Sequence, residues 1–296
     1  MLAVTGASGR LGRLIIEGLL KQRPAADIVA LVRTPYKVRD LAARGVHVRR
    51  TDYAIPETLE WSLSGIDRLL LVSSSQIGKL HQHHRNVICA AKRARVRLLA
   101  YTSILHADTS RMSIAAEHAA TEAEIRSSGL RFVFLRNGCY LENRTENLAA
   151  PLERGVFHGA AGTGRIAAAA RADYADAAVA VLTRGGHDNP IYELAGDGSF
   201  SLDELAGKVS ARAGRLLRYC NLPAKEYREL LLLSGMPAPL AQATIDLDLG
   251  IARGELESSS RDLHELIGRE PQTLDQALAG TAVCARAGAI AATRIP

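Results

Sequence analysis

Aromatic residues are scarce in this 296-residue chain: one Trp, four Phe and eight Tyr, 4% in all. A surface that stacks nucleic-acid bases interleaves aromatics with cations. The densest basic stretch, Arg85 to Arg97 with Lys92, Arg93 and Arg95, contains no aromatic residue. The 37 Lys and Arg and 31 Asp and Glu are mixed through nearly every segment, so no nucleic-acid partner is expected. The net charge of +6 suits only a modest attraction of an anionic cofactor. Cysteine is also rare. Cys89, Cys139, Cys220 and Cys284 form no Cys-x-x-Cys pair, and free thiols in a reducing cytoplasm are expected. Aliphatic runs such as Leu230 to Leu233 fall far short of the roughly 20 residues that cross a bilayer, so no membrane partner is expected. With a strand expected from residue 2, no cleavable leader is expected ahead of the glycine turn.

What is present begins at once. The apolar Leu2, Ala3 and Val4 run into Thr5-Gly6-Ala7-Ser8-Gly9-Arg10-Leu11-Gly12, and Leu11, Leu14, Ile15 and Leu19 follow at helical spacing. Strand, glycine turn and helix in that order predict a pyrophosphate-binding turn. Gly6 permits the tight turn, Gly9 clears the backbone for the phosphates, and Gly12 brings the helix close to the sheet. The next strand, Ile28 to Val32, ends on Arg33. An acid at that position would hold the 2′-hydroxyl of NAD, whereas an Arg accommodates the 2′-phosphate of NADP. The acid is missing, so NADPH/NADP is the expected cofactor, with Arg10 and Lys37 expected to add to Arg33.

The first half repeats strand and helix, with strands near 2–5, 27–33, 46–49, 68–73, 97–102 and 131–136 and helices near 11–22, 35–44, 79–95 and 113–128. Its strands are continuous apolar runs, as in a parallel sheet covered on both faces. The predicted fold is α/β, a Rossmann doubly wound parallel sheet with a smaller, mainly helical C-terminal substrate lobe. The expected division is a cofactor domain over 1–150, a substrate lobe over 151–286 from which some elements return to the core, and a tail over 287–296. The lobe is expected to hold one strand, 191–194, and helices near 172–184, 201–213, 224–234, 259–267 and 273–285, punctuated by Pro223, Pro237, Pro239 and Pro271.

Ligands of such sheets lie across the carboxyl ends of the strands. Those ends are polar here: Ser73-Ser74-Ser75, Thr102-Ser103, and Asn137-Gly138-Cys139-Tyr140-Leu141-Glu142-Asn143. Together with Leu31-Val32-Arg33, His84-Arg85-Asn86-Val87-Ile88, Leu135-Arg136-Asn137-Gly138 and Arg171-Ala172-Asp173-Tyr174, these segments resemble the NmrA-like atypical short-chain dehydrogenase/reductases. Within that group they are most similar to the bacterial NADPH-dependent quinone oxidoreductases. The resemblance spans about residues 1 to 280. It implies NADPH phosphates at Gly6, Ala7, Ser8, Gly9, Arg10 and Leu11, and Arg33 on the 2′-phosphate. It further implies Ser73, Ser74 and Ser75 along the ribose, Asn137, Gly138, Cys139, Tyr140, Leu141 and Glu142 near the nicotinamide, and Arg171 reaching the cofactor. The chain departs from the family's usual pattern at Cys139 and Arg144, beside the presumed pocket, where bulkier aromatic or apolar residues are expected, which leaves the substrate preference open.

The Tyr-x-x-x-Lys pair that protonates an alkoxide in classical short-chain dehydrogenases is absent, and His118-x-x-x-Glu122 stands in its helix. Alcohol oxidation is therefore disfavoured. A quinone is a strong electrophile, so positioning over the nicotinamide can suffice. The expected reaction is NADPH-dependent two-electron reduction of quinones by direct hydride transfer, with the last proton from water, Tyr140 or His118. Two alternatives stay open: an NADP(H)-binding redox sensor without turnover, and a reductase of another conjugated acceptor, a dye or azo compound. His81, His83 and His84 are close in sequence, but neighbouring positions on a helix face different directions, and no metal site is expected. A homodimer through exposed helices is also left open.

Overall fold

The computed structural model describes residues 1–74, 76, 78–187 and 189–281. Ser75, Cys284 and the tail after residue 287 lie outside the described residues. The first half runs β1 (Leu2–Thr5), α1 (Arg10–Leu20), β2 (Ile28–Val32), α2 (Arg39–Ala43), β3 (His47–Arg50), α3 (Pro56–Ser62), β4 (Arg68–Leu71), α4 (Leu80–Arg93), β5 (Leu98–Ile104), α5 (Ser113–Ser128) and β6 (Phe132–Asn137). The chain continues through α6 (Glu142–Thr145), α7 (Ala149–Arg154), β7 (Val156–Gly159), β8 (Arg165–Ile166), α8 (Arg171–Thr183), β9 (Ile191–Leu194), β10 (Phe200–Ser201) and α9 (Leu202–Ala213). It ends with β11 (Arg218–Asn221), α10 (Ala224–Leu233), α11 (Ala238–Ala252), α12 (Asp262–Ile267) and α13 (Leu274–Ala279).

Seven parallel strands form one sheet in the order β3-β2-β1-β4-β5-β6-β9. Their apolar runs are buried on both sides, which is why they do not alternate. One face packs on α1, α8 and α12, the other on α3, α4 and α5. Leu11, Ile15, Ile16 and Leu19 form the buried stripe of α1. Helix α8 is apolar nearly all round and almost wholly buried, as expected for a helix enclosed by the core. It crosses α1 so closely that a Cβ at Gly18 would stand 2.8 Å from Val179 Cγ2.

Chain beyond residue 150 thus supplies both α8 and the seventh strand to the sheet layer. The remainder of that half has its own core of Leu202, Leu205, Val209, Ile251 and Leu278 with Met112 and Leu141. The expectation of a single strand there is corrected: β8 pairs with β10 and β7 with β11 in two small ladders. Helix α11 was also not anticipated. Pro237 and Pro239 stand at its start, where proline lacks nothing that the first turn needs, and do not interrupt it. The helix expected over 273–285 is shorter than that: α13 ends at Ala279 with Gly280 as its cap, and residues 282–285 lie outside the described residues.

Candidate active site

The strand order reverses between β1 and β4, and the crevice at that switch point is where an open α/β sheet binds its ligand. A cleft of about 360 Å³ opens there, lined by the glycine turn, Arg33, the loop after β4, Tyr140 and Arg171. Gly6 has φ +60°, in the left-handed region that favours glycine. A Cβ at Gly12 would meet the Gly6 carbonyl oxygen at 2.4 Å, and one at Gly9 the same atom at 3.2 Å. The turn is therefore built without side chains. The first N–H groups of α1, which lack intrahelical acceptors, head the cleft, so the cradle fits a pyrophosphate.

Arg33 is exposed on the rim with no carboxylate partner among the described residues. Arg10 lines the same rim but is ion-paired with Glu146. Lys37 does not line the cleft. Ser8, Leu11, Ser73 and Ser74 line it, whereas Ala7 is fully buried beneath the turn, its N–H donating to Leu31 O at 3.3 Å. The loop after β4 is fixed by neutral acceptors. Ser73 N–H donates to Thr102 Oγ1 at 2.9 Å, and Ser74 N–H donates to His84 Nε2 at 3.0 Å. Thr121 gives its own proton to Glu117 O, so His84 Nδ1–H is the donor in the 3.1 Å contact to Thr121 Oγ1. Burial, then the neighbouring histidines, push His84 down to about 3, which preserves this neutral tautomer. Among the described residues no group of three His, Cys, Asp or Glu side chains is arranged to hold a metal.

A second compartment of about 320 Å³ shares Ser73 and Tyr140 with the first. It is lined by His118, Asn137, Gly138 and Cys139 from the sheet half, and by Leu247 and Leu256 from the other half. Tyr140 stands at the junction. Its hydroxyl accepts a long 3.4 Å bond from Asn137 Nδ2, and the Arg171 guanidinium lies 4.9 Å from its ring centre. Burial raises the Tyr140 pKa, opposed by Asn137 and by the Arg171 charge, so the phenol keeps its proton. His118 is 2% exposed and shares a 2.7 Å bond with Tyr101 Oη through Nδ1. Burial lowers it to about 4, so it is neutral at pH 7. Its helical neighbour Glu122 is taken up by Arg136 at 2.7 Å and by Ser103 Oγ at 2.7 Å.

Two residues of the 137–142 segment point elsewhere. Leu141 is 1% exposed in the second core, and Glu142 accepts the Arg171 N–H at 2.9 and 3.0 Å, capping α8. Arg171 itself donates to Asn143 Oδ1 at 3.1 Å. Sequence reasoning missed Thr51, Asp52 and Tyr53, which line the cofactor cleft after β3. The signal was available, since they too are polar residues directly after a strand.

A sheet with this switch point, glycine cradle and adjoining compartment defines a dinucleotide-dependent oxidoreductase fold. Residues 6–185 match the NAD(P)H-binding family model, and the chain belongs to that family. It is 46% identical to quinone oxidoreductase 2 of Escherichia coli (strain K12) over 94% of this chain and 97% of that protein. The crystal structure of that NADPH-dependent enzyme complexed with NADPH superposes with a TM-score of 0.92, covering 94% of this chain and 99% of the other. The triphenylmethane reductase of Citrobacter sp., complexed with NADP(H), is 36% identical with a TM-score of 0.91, covering 94% and 99%. An NmrA-like family oxidoreductase of Aspergillus flavus is 28% identical over 90% of each chain.

Proposed function

We propose that this protein catalyses NADPH-dependent two-electron reduction of quinones by direct hydride transfer. The observation that carries the reading is the junction at Ser73 and Tyr140, where a dinucleotide cleft meets a largely apolar compartment. When bound, NADPH supplies the hydride. The cradle of Gly6 to Leu11 and Arg33 hold the phosphates, while Ser73, Ser74, Asn137, Gly138, Cys139 and Arg171 set the end of the cleft nearest the acceptor. Leu141 and Glu142 act by fixing the backbone and α8. Met112, Leu247 and Leu256 exclude water around a flat ring. Tyr140, a neutral phenol beside Arg171, gives a proton to the reduced acceptor's oxygen. His118 is unprotonated at pH 7 and serves to position Tyr101.

In this reading residues 1–150 with α8 and β9 hold the cofactor, and the rest of 151–286 shapes the acceptor side. The small molecule is the partner, with neither nucleic acid nor membrane involved, and the enzyme works in the cytoplasm. Among the described residues no helix is long and apolar enough to cross a membrane. A homodimer through exposed helices would use side chains such as Leu233 of α10 and Leu240 of α11, which are exposed.

The test is oxidation of NADPH, with NADH as control, in the presence of benzoquinone, a naphthoquinone or no acceptor. Turnover that requires a quinone supports the reading, and Tyr140→Phe is expected to lower kcat about tenfold or more while NADPH affinity changes little. Turnover on triphenylmethane dyes alone would move the substrate toward that of the Citrobacter relative. Tight NADPH binding with no turnover on any acceptor would overturn the enzyme reading and move the search to protein partners of a redox sensor.

A further inference from the structure

A third cavity lies behind the acceptor compartment and shares only Asn143 with it among the lining residues. Its volume, about 670 Å³, falls within the range of small-molecule sites. The walls are largely apolar, with Leu148, Leu205, Tyr227 and Leu231, and the charged groups among them are two arginines, Arg144 and Arg154, against one carboxylate, Asp248. Arg154 is exposed at the mouth and has no ion-pair partner among the described residues.

The inner end of this cavity is built around charge. Asp248, 1% exposed, accepts the Ala160 N–H through Oδ2 at 2.9 Å. Room for that carboxylate exists because residue 159 is glycine, where a Cβ would stand 2.8 Å from Asp248 Oδ2. Its other oxygen faces Arg144 Nη2 at 3.6 Å, too long for a hydrogen bond. Arg144 Nε, Arg144 Nη2 and Asp248 Oδ1 are all buried without a hydrogen-bond partner. A buried ion pair is favourable only when its remaining donors and acceptors are satisfied. Burial raises the Asp248 pKa, opposed by the Arg144 charge and the Ala160 N–H.

We infer that this cavity is a binding site, separate from the redox centre, for an amphipathic anion: an aromatic or aliphatic body carrying a single sulfonate or carboxylate. The body lies against the leucines and Tyr227, the anionic head meets Arg144 at the inner end, and the Arg154 charge at the rim adds a longer-range attraction. Charge-assisted hydrogen bonds to Arg are the strong polar contacts available to such a head.

The experiment is calorimetric titration of the NADP-saturated protein with naphthalene-2-sulfonate and, separately, with neutral 2-methylnaphthalene. Saturation with NADP keeps the sulfonate out of the phosphate cradle. The sulfonate is expected to bind one to one, at least about tenfold tighter than the neutral ring, roughly the worth of one charged hydrogen bond. Arg154→Glu, a change at an exposed position, is expected to reduce that preference. Asp248→Asn is expected to tighten sulfonate binding, and Arg144→Met to weaken it. Equal affinity for the two probes would overturn the inference. So would a sulfonate preference that survives both Arg154→Glu and Arg144→Met, because the anion would then sit elsewhere. Neither outcome depends on whether the protein turns over quinones.

Discussion

Replacing Arg33 with Ala removes the one cation on the 2′-phosphate side of the cleft that has no carboxylate partner among the described residues. Arg10 is tied to Glu146, Arg13 to Asp40, and Lys37 does not line the cleft. A charge-assisted hydrogen bond contributes about 1.5–3 kcal/mol, and the exposure of Arg33 places it toward the lower end, near 1.5–2 kcal/mol. That corresponds to a roughly 10- to 30-fold weaker hold on NADPH. NADH lacks the 2′-phosphate, so its affinity is expected to stay within about twofold, and the ratio of the two affinities isolates the interaction. Equilibrium binding followed by nicotinamide fluorescence, for both cofactors and both proteins, measures that ratio. Raising the salt should shrink the wild-type preference, since an exposed pair is screened. An unchanged NADPH-to-NADH ratio in Arg33→Ala would refute the assignment, and equal losses for both cofactors would mean that Arg33 contacts the pyrophosphate instead.

Gly12→Ala places a Cβ against the rigid Gly6 carbonyl, so it is expected to lose about 1–3 kcal/mol of stability and most NADPH binding, read by thermal melting and titration. Gly18→Ala meets only the end of the Val179 side chain and serves as the milder control. His84 and His118 fold with pKa values of about 3 and 4 against an unfolded value near 6.5, so below pH 6.5 the unfolded chain binds more protons. Stability should therefore fall with decreasing pH between about pH 6 and 4, by at most about 1.4 kcal/mol per unit for each histidine and less near pH 4, where folded His118 begins to take up its own proton. Melting curves across that range should show a shallower slope in His84→Gln, and an unaltered slope would show that His84 does not titrate on unfolding.

The sheet and its cradle were legible because both rest on local patterns: apolar runs, a glycine turn between strand and helix, and polar residues at strand ends. The loop Thr51–Asp52–Tyr53 obeys the same rule, directly after the strand expected near 46–49, and was passed over although the strand itself was read. Other misses are long-range by nature. Nothing local says that Glu142 caps a helix starting 29 residues later, or that Leu141 turns into the second core. The ladders β7–β11 and β8–β10 pair segments 34 to 62 residues apart, and strands of two to four residues carry too little pattern to announce themselves. Pro237 and Pro239 read as punctuation and proved to be a helix start.

The return of α8 and β9 to the sheet also bears on how this chain folds. Strand β6 stays an open edge, and α1 an uncovered stripe, until residues up to 194 have been made. Contacts of such long sequence separation are slow to form, and the first 150 residues alone present an unpaired strand and exposed Leu and Ile side chains. Synthesis on the ribosome therefore leaves the cofactor half incomplete until about two thirds of the chain has emerged. A cut between β7 and β8 would separate that half from its own last strand, and neither fragment would be expected to survive as an independent folded unit.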